Sequence, residues 1–190
     1  LEANTTGTNN TAVGKDSGKA ITTGERNVLI GTLAGDALTD ADRNTAVGYI
    51  ALSADTLGSR STAIGHGALQ LQNFTSATDA FNTAVGHSAG LAVTTGVNNT
   101  LIGGEAGDAI TTAGSNVAVG YKSLTTTTTG ANNVAIGVLA LEMNTTGAGN
   151  TALGREALEA NTTASNNTAV GLKALEANTT GTQNVAVGDN

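Results

Sequence analysis

A short pattern of apolar and polar residues recurs along the whole chain at a fixed interval. The copies read Asn, a β-branched residue, Ala, an aliphatic residue and Gly, as in Asn-Thr-Ala-Val-Gly at residues 44–48; the exceptions are Ser61 in place of Asn, and Leu29 and Leu101 in place of Ala. Nine of the ten intervals between the glycines are 17 residues long, and the other is 21. A unit this short has no room for a helix pair, and its Thr, Asn and Gly disfavour helix, so it predicts short strands. The repeat glycines are Gly14, Gly31, Gly48, Gly65, Gly86, Gly103, Gly120, Gly137, Gly154, Gly171 and Gly188.

The five residues that end at each repeat glycine have the alternation of a β-strand. The third residue before the glycine is always Thr or Val (the Thr/Val column), and the last is always Val, Ile or Leu (the Val/Ile column). Both columns point to one face, while the Asn column, the Ala column and the glycine point to the other. Because both faces are small and largely apolar, we expect both to be buried, with the Ala-rich face packed against another chain. The glycine is expected where the chain has φ > 0 or passes close to another backbone.

One large aliphatic residue is kept in the second half of each repeat, although its position changes. Where the fourth residue after the glycine is Leu, a polar residue follows three positions later; where it is Gly, an apolar residue follows instead. This compensation indicates a small cavity of fixed volume in each unit. The leucines are Leu52, Leu69, Leu124, Leu141, Leu158 and Leu175, and the apolar residues in the other repeats are Ile21, Leu38, Val93 and Ile110.

Two short strands and two turns fit each repeat, and polar turns such as Thr-Thr-Gly close it. Stacked in register at ~4.8 Å per strand, such units form a parallel β-solenoid about 50 Å long. The sequence therefore predicts an all-β fold, a β-roll of about eleven 17-residue coils. Residues 1–190 form a single repeat domain, and a four-residue insertion lies within residues 70–81 of the fourth coil.

The unit Asn-Thr-Ala-Val-Gly-x-x-Ala-Leu-x-x-Asn-Thr-Thr-Gly resembles the head repeats of trimeric autotransporter adhesins. It is also similar to the repeats of phage-tail-fibre-like trimeric fibre proteins, and the resemblance covers essentially the whole chain. It implies that the solenoid is a left-handed parallel β-roll, packed as a homotrimer or within a fibre. Burial in a lone coil of Ala, Thr and one Leu is small, which independently favours oligomerisation, with a monomeric solenoid as the alternative.

Composition and charge remove several classes of function. More than half of the residues are Thr, Ala, Gly or Asn, and the sequence holds no Cys and only two His. No catalytic constellation, metal site or cofactor site is evident, so we expect a protein that is not an enzyme. A net charge of −7 disfavours nucleic acid as a partner. No apolar run is long enough for membrane insertion.

Three groups of titratable residues occupy single columns or one turn. His66 and His87 follow consecutive repeat glycines and should stack, either as solvated side chains or, in a trimer, as rings that bind metal or anions. We favour solvated histidines. The glutamates of another column form either a solvated acidic stripe, which we favour, or a cation site. Calcium is a minority hypothesis for the acidic turn. The glutamates are Glu142, Glu159 and Glu176, and the turn holds Asp36, Asp40 and Asp42.

Opposite charges also share a column of neighbouring coils. Glu105 with Lys122, and Glu156 with Lys173, are expected to pair between coils for a few tenths of a kcal/mol each.

Two sets of residues are candidates for surface contact or modification. The insertion carries Leu71, Phe74 and Phe81, which form either a contact loop or, as we favour, a cluster that packs the loop onto its neighbours. Asn-x-Ser/Thr sequons are candidates for glycosylation, and those beside Thr-Thr-Gly turns are expected to be exposed. They begin at Asn4, Asn9, Asn73, Asn98, Asn144, Asn161, Asn166 and Asn178.

The function favoured by these features is a structural segment of an extracellular or virion fibre, which spaces or presents an adhesive element. The alternatives are an adhesin head that binds host matrix or a glycan, and an ice-binding solenoid. Against ice binding, the Thr/Val column faces the same way as the expected core Val and Ile. The expected partner is the protein itself, as a homotrimer or an end-to-end filament, because both ends fall within a repeat. A host surface or glycan is the other candidate partner, and the expected location is extracellular, on a cell or virion surface.

Overall fold

The computed structural model describes residues 1–189, which form a parallel β-solenoid. One three-residue strand from each coil joins an eleven-stranded parallel sheet whose order follows the chain. Each strand residue pairs with its counterpart one repeat on, as Thr45 does with Thr62, and the pairing continues across the insertion from Thr62 to Thr83. The strands of this sheet are β1 (Thr11–Val13), β2 (Val28–Ile30), β3 (Thr45–Val47), β5 (Thr62–Ile64), β7 (Thr83–Val85), β8 (Thr100–Ile102), β9 (Val117–Val119), β10 (Val134–Ile136), β11 (Thr151–Leu153), β12 (Thr168–Val170) and β13 (Val185–Val187).

The second strand expected in every coil is absent from the described residues, apart from one local pair. That pair, β4 (Gly58–Ser59) and β6 (Thr78–Asp79), lies where the insertion begins to leave the coil. Elsewhere the return half of the coil is a series of turns, because its second and fourth residues after the glycine have left-handed backbones, as at Lys122 (φ 56°) and Leu124 (φ 53°). Backbone hydrogen bonds still join successive coils there. No helix in the described chain is both long and apolar enough to span a bilayer.

Contact between successive backbones explains the repeat glycines. At Gly103 φ is +136°, and a Cβ added there would lie 2.4 Å from the carbonyl oxygen of Gly120 in the next coil. Both conditions expected from the sequence are therefore present at this position: a backbone region that L-residues avoid and a neighbouring backbone that leaves no space for a side chain.

The interior contains one column of Ala and one large aliphatic side chain per coil, as the compensation pattern predicts. Ala118, Leu124 and Ile110 are all fully buried. The structure adds a third part to this compensation. Leu29 replaces Ala in its strand and fills space both in the preceding coil and in its own: Cβ atoms added at Gly18 and Gly35 would lie 2.7 and 2.8 Å from its methyl groups. Leu101 stands in the same way between Gly90 and Gly107.

The buried Asn column is fully hydrogen-bonded from coil to coil. The Oδ1 of Asn116 accepts the backbone N–H of Asn133 at 3.0 Å, while its Nδ2 donates to the carbonyl of Gly130 at 3.0 Å. Each amide therefore connects the coil above with the opposite turn of its own coil. Since a buried amide without partners is costly, this column requires Asn in nearly every repeat.

Replacing Leu158, which is fully buried, with Ala should lower the free energy of unfolding by about 2–5 kcal/mol, because a cavity remains in the coil. Lys122→Ala is the control, since Lys122 makes only a partly exposed ion pair with Glu105 at 3.6 Å and such pairs contribute about 0–1 kcal/mol. Denaturant unfolding measures both. An unchanged midpoint for Leu158→Ala would contradict the assignment of this column to the core.

Two neighbouring glycines provide a sharper comparison. Gly103→Ala should strongly destabilise the protein, because its Cβ meets the Gly120 backbone and its φ is unfavourable. Gly104→Ala should be tolerated, because the nearest atom to a Cβ there belongs to the Tyr121 side chain at 3.5 Å. Melting temperatures of the two variants test this. Equal effects would show that backbone contact does not select the repeat glycine.

Candidate functional surface

The outward face of the eleven-stranded sheet is the most extensive uniform surface of the solenoid. It consists of the Thr/Val and Val/Ile columns, which we call the sheet strip. Its aliphatic residues are half-buried to exposed in mid-chain: Ile102 and Ile136 keep 39% and 37% of their surface exposed, whereas Val117 and Val119 are half-buried. The two columns run side by side over a length of about 50 Å and a width of roughly 10 Å.

Within one chain only one strand face is buried. The Ala column points into the coil and is fully buried in mid-chain, as at Ala118 and Ala135, so the residues that alternate with it must face outward. The expectation that the Ala-rich face packs against another chain is therefore wrong, since that face lies inside the coil.

No charged residue occurs anywhere in the sheet strip. The eight Lys and Arg and the fifteen Asp and Glu all belong to other columns. This absence of charge did not distinguish the exposed face in the sequence, because the Asn and Ala columns of the opposite face hold no charged residue either. An uncharged, largely aliphatic surface of this size is comparable with the largest patches on monomeric proteins, which are often functional.

His66 and His87 stack as predicted, on the exposed edge beside the strip. Their ring centroids are 5.0 Å apart and nearly parallel, and Tyr49 continues the stack 5.4 Å from His66. The histidines are exposed, as the favoured interpretation requires.

One member of the column of glutamates, Glu176, is paired with a lysine. The Nζ of Lys173 lies 2.9 Å from Glu176 and 3.1 Å from Glu156, and Arg155 also hydrogen-bonds Glu156. Hydrogen bonds from Arg155 and Lys173 lower the pKa of Glu156. Partial burial, together with the charges of Glu156, Glu142 and Glu176, raises the pKa of Glu159. The predicted pairs Glu156–Lys173 and Glu105–Lys122 are both formed.

Cation ligands come together at one place within the described residues. Carboxylate oxygens of Glu156, Glu159 and Glu176 lie within 4.8 Å of one another. Because Lys173 already binds two of these carboxylates, the group has the arrangement of an ion-paired cluster. Asp36, Asp40 and Asp42 do not form such a group.

The three apolar residues of the insertion do not form one surface. Phe74 is buried, with 6% of its surface exposed, and packs the loop onto the coil, whereas Leu71 and Phe81 are exposed at 44% and 50%. Arg60 lies over the Phe81 ring, 5.6 Å from its centroid. The favoured packing role therefore describes Phe74 alone.

The sequons divide by exposure. Asn144 and Asn161 are fully buried. The expectation that sequons beside Thr-Thr-Gly turns are exposed is therefore wrong for Asn144, while Asn161 precedes Thr-Thr-Ala. Their amides form a second internal ladder, in which Asn161 Nδ2 donates to Asn144 Oδ1 at 2.9 Å, and neither side chain is accessible to a glycosylating enzyme. Asn178 is partly exposed. Fully exposed acceptors remain at Asn4, Asn9, Asn73, Asn98 and Asn166.

Comparison with known proteins finds no match among family models, curated proteins or solved structures.

Glu159→Gln should raise the melting temperature at neutral pH, because the charged carboxylate is disfavoured by burial and by three neighbouring glutamates. A raised folded-state pKa means that ionising Glu159 costs stability as pH rises through that pKa. The advantage of the variant should therefore disappear as pH falls below it, where Glu159 is already protonated. Thermal melts from neutral to acidic pH measure this, with Glu25→Gln as a control outside the cluster. An advantage independent of pH would contradict the assignment.

Proposed function

We propose that the protein is a structural segment of a fibre, in which three parallel copies pack through their sheet strips. The observation that carries this proposal is the exposed, uncharged strip of Thr, Val and Ile that runs the length of the solenoid. An exposed apolar surface of this extent is favourable only when it is covered. Another copy of the chain has a complementary surface of the same length.

A threefold axis parallel to the solenoid accounts for the absence of charge from the strip. In such an assembly, each residue of the strip faces its own counterparts in the other copies. A single Lys or Asp there would be repeated three times in a desolvated interface, which is strongly unfavourable. Thr and Val are tolerated in one column because they have nearly the same shape.

The role that follows is mechanical. A trimer of stacked coils is a straight rod that holds other parts of a fibre at a fixed distance, and the described residues provide about 50 Å of it. The resemblance of the repeats to adhesin heads and tail-fibre-like proteins supports this role. It also supports a location outside the cell, on a cell or virion surface.

Ile136→Lys should dissociate the trimer, because the substitution places three ammonium groups near the symmetry axis. Met143→Lys is the matched control: Met143 belongs to the same coil and is 50% exposed, but it lies outside the strip. Molar mass from light scattering during size-exclusion chromatography measures the effect. A monomeric wild-type protein, or an Ile136→Lys protein that remains trimeric, would contradict the proposal.

Ordering of water as ice is a second candidate for the same face. The specific observation in its favour is that Thr occupies seven of the eleven positions of the Thr/Val column, in register and exposed outward. The Val and Ile residues that counted against this function in the sequence are not core residues. They are an exposed, regularly spaced column beside the threonines.

Thermal hysteresis distinguishes the two candidates, because a trimer covers the face that ice would contact. An ice-binding chain should be monomeric, and its hysteresis should be lost in Thr100→Tyr, which disturbs the regular surface. Thr112→Tyr, on an exposed turn outside the strip, should retain it. Absence of hysteresis in the wild-type protein would exclude the ice-binding function.

A further inference from the structure

The insertion in the fourth coil is anchored by a buried carboxylate. Asp55 is fully buried, and its Oδ1 accepts the backbone N–H groups of Gly58 and Phe74, each at 3.0 Å. The hydroxyl of Thr56 donates to the carbonyl of Phe74 at 2.9 Å. These hydrogen bonds hold the start of the inserted segment against the preceding coil, so the segment has a fixed position in the solenoid.

The Asn column is rebuilt around this anchor. Ser61 replaces Asn in the strand, and Gln72 supplies the missing amide from the other side of the coil. Its Nε2 donates to Asp55 at 2.6 Å and to the Ser61 hydroxyl at 3.0 Å, while its Oε1 accepts from Asn82 at 2.9 Å. These partners hold both ends of the insertion in place.

The displaced loop leaves a cleft of about 440 Å³ against the turns of the two preceding coils. This volume is within the range of small-molecule sites, roughly 300–1,000 Å³. Its charged and polar lining comes from both sides: Asp40, Asp42, Arg43, Ser59 and Arg60 from the coils, and Asp79 from the loop. The four extra residues of the insertion supply the loop side of this cleft, including Asp79.

An exposed aromatic ring adjoins the cleft. Ala80 is fully buried, and its exposed neighbours Asp79 and Phe81 both face outward. Arg60 connects them, since its Nε donates to Asp79 at 2.7 Å and its guanidinium group lies over the Phe81 ring. Arg43 has no ion pair or side-chain hydrogen bond within the described chain, so all its donors are free to bind a ligand.

The chemistry of this cleft fits a neutral, polyhydroxylated ligand. Three carboxylates against two guanidinium groups disfavour an anion, and the aspartates are not close enough together to hold a metal ion. Carboxylates accept hydrogen bonds from hydroxyl groups, and guanidinium groups donate to hydroxyl and ring oxygens. Phe81 is 50% exposed, and the ring face that Arg60 does not cover can pack against the C–H groups of a sugar ring that extends from the cleft. We propose that this cleft is a binding site for a neutral saccharide.

The experiment uses the wild-type protein and a panel of neutral mono- and oligosaccharides built from glucose, galactose, mannose and N-acetylglucosamine. Saturation-transfer NMR identifies any saccharide that binds, and titration calorimetry measures its dissociation constant. Arg43→Ala and Phe81→Ala should each weaken binding by about tenfold or more. Arg26→Ala is the matched control: Arg26 occupies the same column as Arg43, one coil away, but does not line the cleft. It should leave the dissociation constant unchanged, and melting temperatures verify that all variants fold.

Three results would overturn the proposal. The first is the absence of a response from the wild-type protein to every saccharide in the panel at millimolar concentration. The second is binding that Arg43→Ala and Phe81→Ala leave unaltered, which would place the saccharide elsewhere. The third is binding that a chelator abolishes and that calcium chloride alone reproduces, which would make the ligand a cation. None of these results depends on the oligomeric state, so the fibre proposal stands or fails separately.

Discussion

Successive coils of this solenoid lie one backbone hydrogen bond apart around the whole circuit, and this spacing governs the rest of the structure. It leaves no space for a side chain at the repeat glycine, as the approach of Gly103 to the Gly120 carbonyl shows. It also places equivalent residues directly above one another, so that Asn116 bonds the coils on either side: its backbone N–H donates to the Oδ1 of Asn99, and its own Oδ1 accepts the N–H of Asn133. Equivalent positions in successive coils therefore have the same environment, and the same residue type is favoured at each of them.

A coil of 17 residues encloses very little volume, which limits the apolar residues that it buries. The interior holds Ala and one Leu, Ile or Val per coil, and the remaining aliphatic residues are left on the outer face of the sheet. Strand alternation puts these residues outside whatever the width of the coil. Only another molecule could cover the strip, and a chain with this architecture gains when that happens.

The sequence predicted the parallel register, the position of the repeat glycines and the alternative positions of the large aliphatic residue, as at Leu158 and Ile110. Each of these features appears in the sequence as the same residue type at a fixed position of the repeat. It did not predict which strand face is inside, since Ala and Val are both apolar and alternation alone has no direction. It missed the turns of the return half because Leu124 and Lys122 give no sign of a left-handed backbone. The buried sequons at Asn144 and Asn161 were missed because Asn is usually found at the surface.

Volume shared between coils restricts how such a chain can grow. Leu29 fills space that belongs to Gly18 in the coil before it and to Gly35 in its own, so neither glycine-containing coil is complete without that leucine. If a single coil of this glycine-containing type were duplicated among coils of the other type, the space beside its glycine would be either empty or occupied twice. Two adjacent coils of this type, with the leucine-containing strand between their glycines, must therefore be duplicated together. The same pair of coils occurs a second time, with Gly90, Leu101 and Gly107. Coils with Leu at the fourth position after the glycine fill their interior with their own side chain, so they can be duplicated singly.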